Sequence, residues 1–196
     1  MFLTAMSNSY DTAQLTDEDL MGQFQEGNEK AFVELYDRYN RRLYGYCVKM
    51  LNDKVLAEDL FQEIFIRVSR KRDHFRGGNF SGWLFAIARN QCLNALRDNV
   101  THTSLDDVSG MLTAPDLELY DETSELLKEA IEKLPDEMKE ALILRVYSGF
   151  SYQEIAEITG AKLATVKVRI HRAKIRLHDL LTPFFAEHYS KQNSTI

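Results

Sequence analysis

The chain has 196 residues, 44% of them apolar and 28% charged, with 9 Gly and 3 Pro, which allows one domain or two small ones and excludes collagenous, mucin-like and wholly disordered chains. Its net charge of -6 argues mildly against nucleic-acid binding when taken whole. The distribution weakens that argument: residues 1–29 carry no basic and 6 acidic side chains, 30–100 carry 13 and 8, 101–140 carry 3 and 12, and 141–196 carry 8 and 4. Two basic blocks separated by an acidic one form the pattern of two domains with a connector, and a local basic footprint suffices for phosphate binding. Charge alone leaves equally open two solvated surfaces that differ in sign, so motifs must decide.

Apolar stretches such as Trp83 to Ala88 are far shorter than the about 18 to 20 residues that cross a bilayer, so no membrane insertion is expected. Met1 to Asp11 hold no Lys or Arg and no apolar h-region, which reads as the absence of a secretory signal and hence a cytoplasmic protein. Cys47 and Cys92 form no CxxC pair and have no His cluster nearby. They indicate neither a disulfide framework nor a metal site and are expected to fill helix interiors.

From Phe32 the apolar residues fall at 32, 35, 36, 39, 43, 46, 47 and 50, the spacing of one helix face. A second helix is predicted from Val55 to Ser69, with Leu56, Leu60, Phe61, Ile64, Phe65 and Val68 inward, ending in the basic cluster Arg67, Arg70, Lys71 and Arg72. The Gly77–Gly78 pair then breaks the helical pattern, and Ser81 is the expected N-cap of a helix through Arg97. Residues 101–121 lack periodicity and read as a flexible acidic linker. Beyond them helices are predicted over Glu122–Lys133, Asp136–Tyr147, Ser151–Thr159 and Leu163–Leu181. No strand pattern occurs, so the fold class is all-α: two small helical domains, 16–100 and 122–182, joined by 101–121.

Ser151 to Glu154 is a capping-box sequence and marks a sharp helix start. Ala156 allows close helix approach, Gly160 suits a positive-φ turn, and Val166 suits a buried β-branched lock, a spacing that resembles a helix-turn-helix. In the next helix Leu163, Val166, Ile170, Ala173, Leu177 and Leu180 make one apolar side. Lys162, Lys167, Arg169, Arg172, Lys174 and Arg176, with His171, fall in a stretch without an acidic residue. A major-groove helix needs this arrangement, an apolar seam on its scaffold and cations toward phosphates and base edges. A merely solvated helix would normally interleave acids for i,i+4 pairing. In the first domain Trp83, Ile87, Asn90, Asn94 and Arg97 lie at steps of four and three, passing from aromatic to amide to basic. That suits unpaired bases and a strand backbone, although a lone Trp in an apolar run equally suits a core.

Asp53 to Phe65 (DKVLAEDLFQEIF), Phe80 to Asn90 (FSGWLFAIARN), Leu134 to Glu137 (LPDE), Tyr152 to Ala156 (YQEIA) and Thr165 to Ala173 (TVKVRIHRA) together resemble a bacterial RNA polymerase sigma factor of the extracytoplasmic-function group of the sigma-70 family. The resemblance covers residues 16–182 in order. It implies region 2 and region 4 domains, with core RNA polymerase and promoter DNA as partners, an anti-sigma factor as a further partner, no cofactor, and a role as specificity subunit without a catalytic site. Asp53, Glu58, Asp59, Gln62 and Glu63 match the part that docks on core polymerase. Carboxylates and an amide at i,i+4 can receive Arg in charge-assisted bonds, while a solvated acidic face with a Glu63–Arg67 pair is the plainer alternative. Arg76, Asn79, Phe80, Trp83, Arg89, Asn90, Asn94 and Arg97 match the loop and following helix that capture a flipped minus-ten base and hold the opened strand, and the Gly77–Gly78–Asn79 loop is the part that varies with specificity in the family. Base flipping costs a few kcal/mol, which a protein without an ATP site must draw from binding. Lys162, Thr165, Lys167, Val168, Arg169, His171 and Arg172 match the minus-thirty-five contacts. Two departures stand out: Ala164 replaces a common Gly, and Val168 a common Ser, offering a methyl instead of a hydroxyl. The acidic linker resembles a connector toward the RNA exit channel, with a plain tether equally open. The tail after Pro183 receives no role.

Two other functions compete. An enzyme lacks support, since no GxxxxGK[ST], HExxH or GxSxG occurs and the five histidines are scattered. A ligand-responsive helix-turn-helix regulator would need a sensory domain with a closed apolar pocket, where residues 30–100 instead carry the docking and strand-opening motifs.

Overall fold

The computed structural model describes residues 14–102 and 122–193. Among them are eight helices and no strand, the all-α class expected. The expected linker from 103 onward and the last residues of the tail lie outside the described residues.

The first unit holds α1 (Asp17–Gln25), α2 (Glu29–Leu51), α3 (Lys54–Arg70), a short 3-10 turn at Arg72–His74, and α4 (Phe80–His102). Local chemistry sets the junctions. Asn52 ends α2 in the left-handed region at φ 53, a conformation Asn tolerates better than most residues. Asp53 then starts α3 by accepting Leu56 N–H at 3.0 Å, so a sharp reversal needs two residues. The inward faces of α1 to α4 bury Phe24, Leu35, Leu43, Tyr46, Ile64, Phe80, Leu84 and Phe85, and Cys47 and Cys92 lie in this core as free thiols.

The second unit holds α5 (Glu122–Glu132), α6 (Asp136–Val146), α7 (Tyr152–Thr159) and α8 (Leu163–Asn193). Its core includes Ile143, Leu144, Ile155, Val166, Ile170 and Ala173. Phe150 joins the two cores, its ring lying 4.8 Å edge-on from Phe85.

Four boundaries differ from the sequence reading. Helix α1 was not anticipated: Thr16 and Asp19 form its capping box, with Asp in place of the usual Glu or Gln. Ser81 is not the cap of α4; Asn79 is, its Oδ1 accepting Gly82 N–H at 2.9 Å and Ser81 O–H at 2.8 Å. Helix α4 continues past Arg97 to His102, taking the first two residues assigned to the linker. Helix α8 runs past Leu181 to Asn193 with Pro183 inside it, although proline lacks the N–H that would continue the ladder.

Candidate nucleic-acid and polymerase interfaces

Helices α7 and α8 form the turn that the sequence spacing suggests. Ser151 Oγ accepts Glu154 N–H at 3.2 Å, and Glu154 Oε2 accepts Ser151 N–H at 2.8 Å. Those bonds hold the Glu154 carboxyl below the usual carboxylate range, the Ser151 N–H being the largest cause. Gly160 closes α7 at φ 69, Ala156 is buried, and Val166 is fully buried against α7. This seam leaves Lys162, just before α8, and Thr165, Lys167, Val168, His171 and Arg172 on it exposed. Val168 is 46% exposed, so its methyl groups face outward as a base-contacting side chain requires. Arg169 differs from its neighbours in donating from Nη2 to Glu137 Oε2 at 2.5 Å. A cleft of about 630 Å3 runs between the start of α6 and this face, lined by Met138, Thr165, Val168 and Arg172 among others.

In the first unit a connector from Arg72 to Asn79 precedes α4 and is held at both ends by α1. Gln25 Nε2 donates to Arg72 O at 2.7 Å and to Phe75 O at 2.9 Å, and Glu18 Oε1 accepts Phe80 N–H at 2.9 Å. Between the anchors Arg76 and Asn79 are exposed, and Gly77 and Gly78 take φ values of 87 and 88, a region that disfavours residues bearing a Cβ. Trp83 is partly exposed, with its ring 5.4 Å from Phe75 and 6.1 Å from Phe80. Phe80 itself is fully buried. It is a core residue that supports this wall, which corrects its assignment as a direct contact. Asn90 and Asn94 are exposed, and Asn94 Oδ1 accepts Arg97 Nη2 at 3.0 Å.

Arg89 lies across the boundary of the units. Its Nε is 2.6 Å from Glu140 Oε1 as a charge contact, while Nη2 donates to Glu140 Oε2 at 3.3 Å. Burial pushes the Glu140 carboxyl up, against the opposing pull of the Arg89 guanidinium. Asn79 Nδ2 also reaches across, donating to Glu154 Oε1 at 3.4 Å.

On α3, Glu58, Asp59 and Gln62 are exposed, and their side chains carry no hydrogen bond or ion pair among the described residues. Glu63 is paired with Arg67 Nε at 3.1 Å, the intrahelical alternative raised above, and Asp53 is engaged as the α3 cap. Exposed Val55 and Ile66 flank Asp59 and Gln62 on the same face. Sequence reasoning missed Glu18, Gln25, Glu140 and Glu154 as organisers of these surfaces. Only Glu154 carried a local signal, its capping box; the others act on residues far away in the chain.

Comparison with known proteins agrees with both halves. The family model for Sigma-70 region 2 matches residues 35–101, and that for Sigma-70 region 4 matches residues 124–177. The chain is 31% identical over 189 residues to the RNA polymerase sigma-H factor of Pseudomonas aeruginosa, covering 89% of this chain and 98% of that one. It is 31% identical over 185 residues to the ECF RNA polymerase sigma-E factor of Escherichia coli K12, covering 87% and 96%. Among solved structures it is similar to the sigma factor RpoE of Bartonella quintana in complex with the anti-sigma factor NepR, with a TM-score of 0.68 and 29% identity over 78% of this chain and 98% of that one.

Proposed function

Because the chain belongs to the sigma-70 family, in its extracytoplasmic-function group, we propose that it works as the specificity subunit of RNA polymerase through three surfaces of its own. The chain is a sigma factor that directs core RNA polymerase to promoters. Its carrying observation is the match of both family regions, in order, to the two helical units. In this reading the exposed Glu58, Asp59 and Gln62 of α3 receive cationic side chains of the core enzyme, with Glu63 joining by exchanging its Arg67 partner and Asp53 fixing the start of the helix. Lys162, Thr165, Lys167, Val168, Arg169, His171 and Arg172 read the minus-thirty-five duplex. Arg76, Asn79, Trp83, Arg89, Asn90, Asn94 and Arg97 take the opened minus-ten strand, with Trp83 as the stacking surface and cations on the backbone.

The chain performs no catalysis in this scheme; it supplies binding energy for strand opening and leaves polymerisation to the core. Its place of work is the bacterial chromosome, and no helix among the described residues is long and apolar enough to cross a membrane. An anti-sigma factor is a fitting partner, given the partner of the similar Bartonella quintana protein. Reconstituted transcription with core polymerase on a genomic fragment library tests the whole reading. Transcript starts that require both components and share two spaced motifs support it. Tight duplex binding by the chain alone, without core-dependent initiation, overturns it in favour of a regulator.

A further inference from the structure

Among the described residues, Arg169 is the one Lys or Arg between Lys162 and Arg176 that has an ion pair. Its partner, Glu137, comes from the first turn of α6, 32 positions earlier in the chain. Packing sets the two in register: Ile131, Leu134, Leu142 and Ala173 form a small buried cluster where α6 meets α8, and Arg169 lies one turn before Ala173. Burial of the pair is uneven, the Arg169 side chain being 20% exposed and that of Glu137 71%. The guanidinium is therefore tucked toward α6, at the cleft that Thr165, Val168 and Arg172 also line. Glu140, whose carboxyl also feels the Arg169 charge, is engaged by Arg89, which leaves Glu137 as the group that holds Arg169.

A carboxylate 2.5 Å from Arg169 Nη2 offsets the attraction of the guanidinium for a phosphate, which is itself an anion. The donors are not lost with the charge. A guanidinium has five N–H groups in one plane, so one bond to Glu137 fixes that plane and leaves the rest of the fork for a neutral acceptor edge. The major groove offers such an edge in guanine O6 and N7, which Arg reads with two bonds. Lys162, Lys167 and Arg172 are exposed and outside any ion pair among the described residues, and they keep their full charge for the backbone. We propose that Glu137 is a positioning residue that directs Arg169 to a base edge, guanine by its chemistry, and keeps it off the phosphates. The inference rests on the reading of α8 as the helix that reads duplex DNA. It adds to that reading a residue on another helix that sets sequence preference by acting through Arg169.

The test uses the full chain assembled with core RNA polymerase. Its probes are a promoter fragment found by the transcription experiment above and every single-base-pair substitution of that fragment's upstream motif, read by filter binding over a salt series. Glu137→Ala should reduce discrimination at one G·C pair of the motif by about fivefold, the low end of what one contact between a side chain and a base contributes. Substituted fragments should bind more tightly, and the salt slope should steepen by about 0.9, because the released cation reaches a phosphate. Glu137→Gln keeps an acceptor for Nη2 and should retain the discrimination. In an Arg169→Ala chain, Glu137→Ala should remove no further discrimination, the coupling expected of a residue that acts through its partner. Unchanged discrimination in Glu137→Ala overturns the proposal. So does weaker binding of all fragments alike without a steeper slope, the mark of a structural pair. If the unaltered chain yields no upstream motif, the reading of α8 falls; if the motif is present and survives Glu137→Ala, the positioning role falls and that reading stands.

Discussion

Replacing Ser151 by Ala should loosen α7 and, through it, the seat of α8. Helix α7 has only eight residues, so the amides without an intrahelical partner are a large share of its backbone donors. Ser151 Oγ satisfies one of them, Glu154 N–H at 3.2 Å. Alanine removes that acceptor at a typical cost of about 1 kcal/mol, whereas glycine at an N-cap costs a few tenths. At thermal energy the alanine change multiplies the opening equilibrium by about five and the glycine change by under about two. Tryptophan fluorescence would miss this, because the chain has a single Trp and Trp83 lies in the first unit. Amide hydrogen exchange at Ile155, Ala156 and Ile158 reports it directly. Unchanged exchange in Ser151→Ala, or an equal effect of Ser151→Gly, would refute the capping argument and leave the buried Ile155 and Ile158 as the sole hold on α7.

The Glu154 carboxyl lies below its ordinary range because it accepts Ser151 N–H, so its stabilisation is present above the unfolded value of about 4.3 and is lost as pH falls through the lower folded value. Exchange protection of α7 should therefore drop in acid, and Glu154→Gln should abolish that dependence; parallel profiles would remove Glu154 as its source. Lys167→Ala and Arg172→Ala should each reduce the salt slope of promoter binding by about 0.9, one phosphate contact, and unchanged slopes would take them out of the interface. Trp83→Ala combined with Asn79→Ser, which keeps an N-capping side chain, should leave duplex docking intact and suppress permanganate reactivity of promoter thymines. Persistent reactivity would move strand capture off this face.

Legibility followed the range of the interactions. The capping box at Ser151, the turn at Gly160 and the lock at Val166 involve neighbours within a few positions, and the sequence shows them directly. The inward faces of α2 and α3 were readable for the same reason, since helix periodicity repeats along the chain. Helix α1 escaped because its box closes with Asp19 and its nine residues give few repeats. The cap of α4 was misplaced by two positions because Asn79 and Ser81 are both competent caps, and only the bond to Gly82 N–H decides between them. Phe80 could not be told from a surface aromatic because its burial depends on Tyr39 and Phe75. The Arg89–Glu140 contact joins residues 51 positions apart, beyond any periodic signal.

The anchoring of the Arg72–Asn79 connector by Gln25 and Glu18 separates two demands that a recognition loop usually makes of the same residues. Its ends are secured by bonds to the main chain, Arg72 O, Phe75 O and Phe80 N–H, which any side chain could leave in place. Arg76 and its glycine neighbours between those ends take no part in that anchoring. Such a loop is an exchangeable cassette at Arg76: a new side chain can be grafted there while Gly77 and Gly78 keep the positive-φ turn and the helices beneath keep their seats. Under the proposed minus-ten reading, promoter preference can then diversify between duplicated copies, or be redesigned by hand, without reopening the problem of folding.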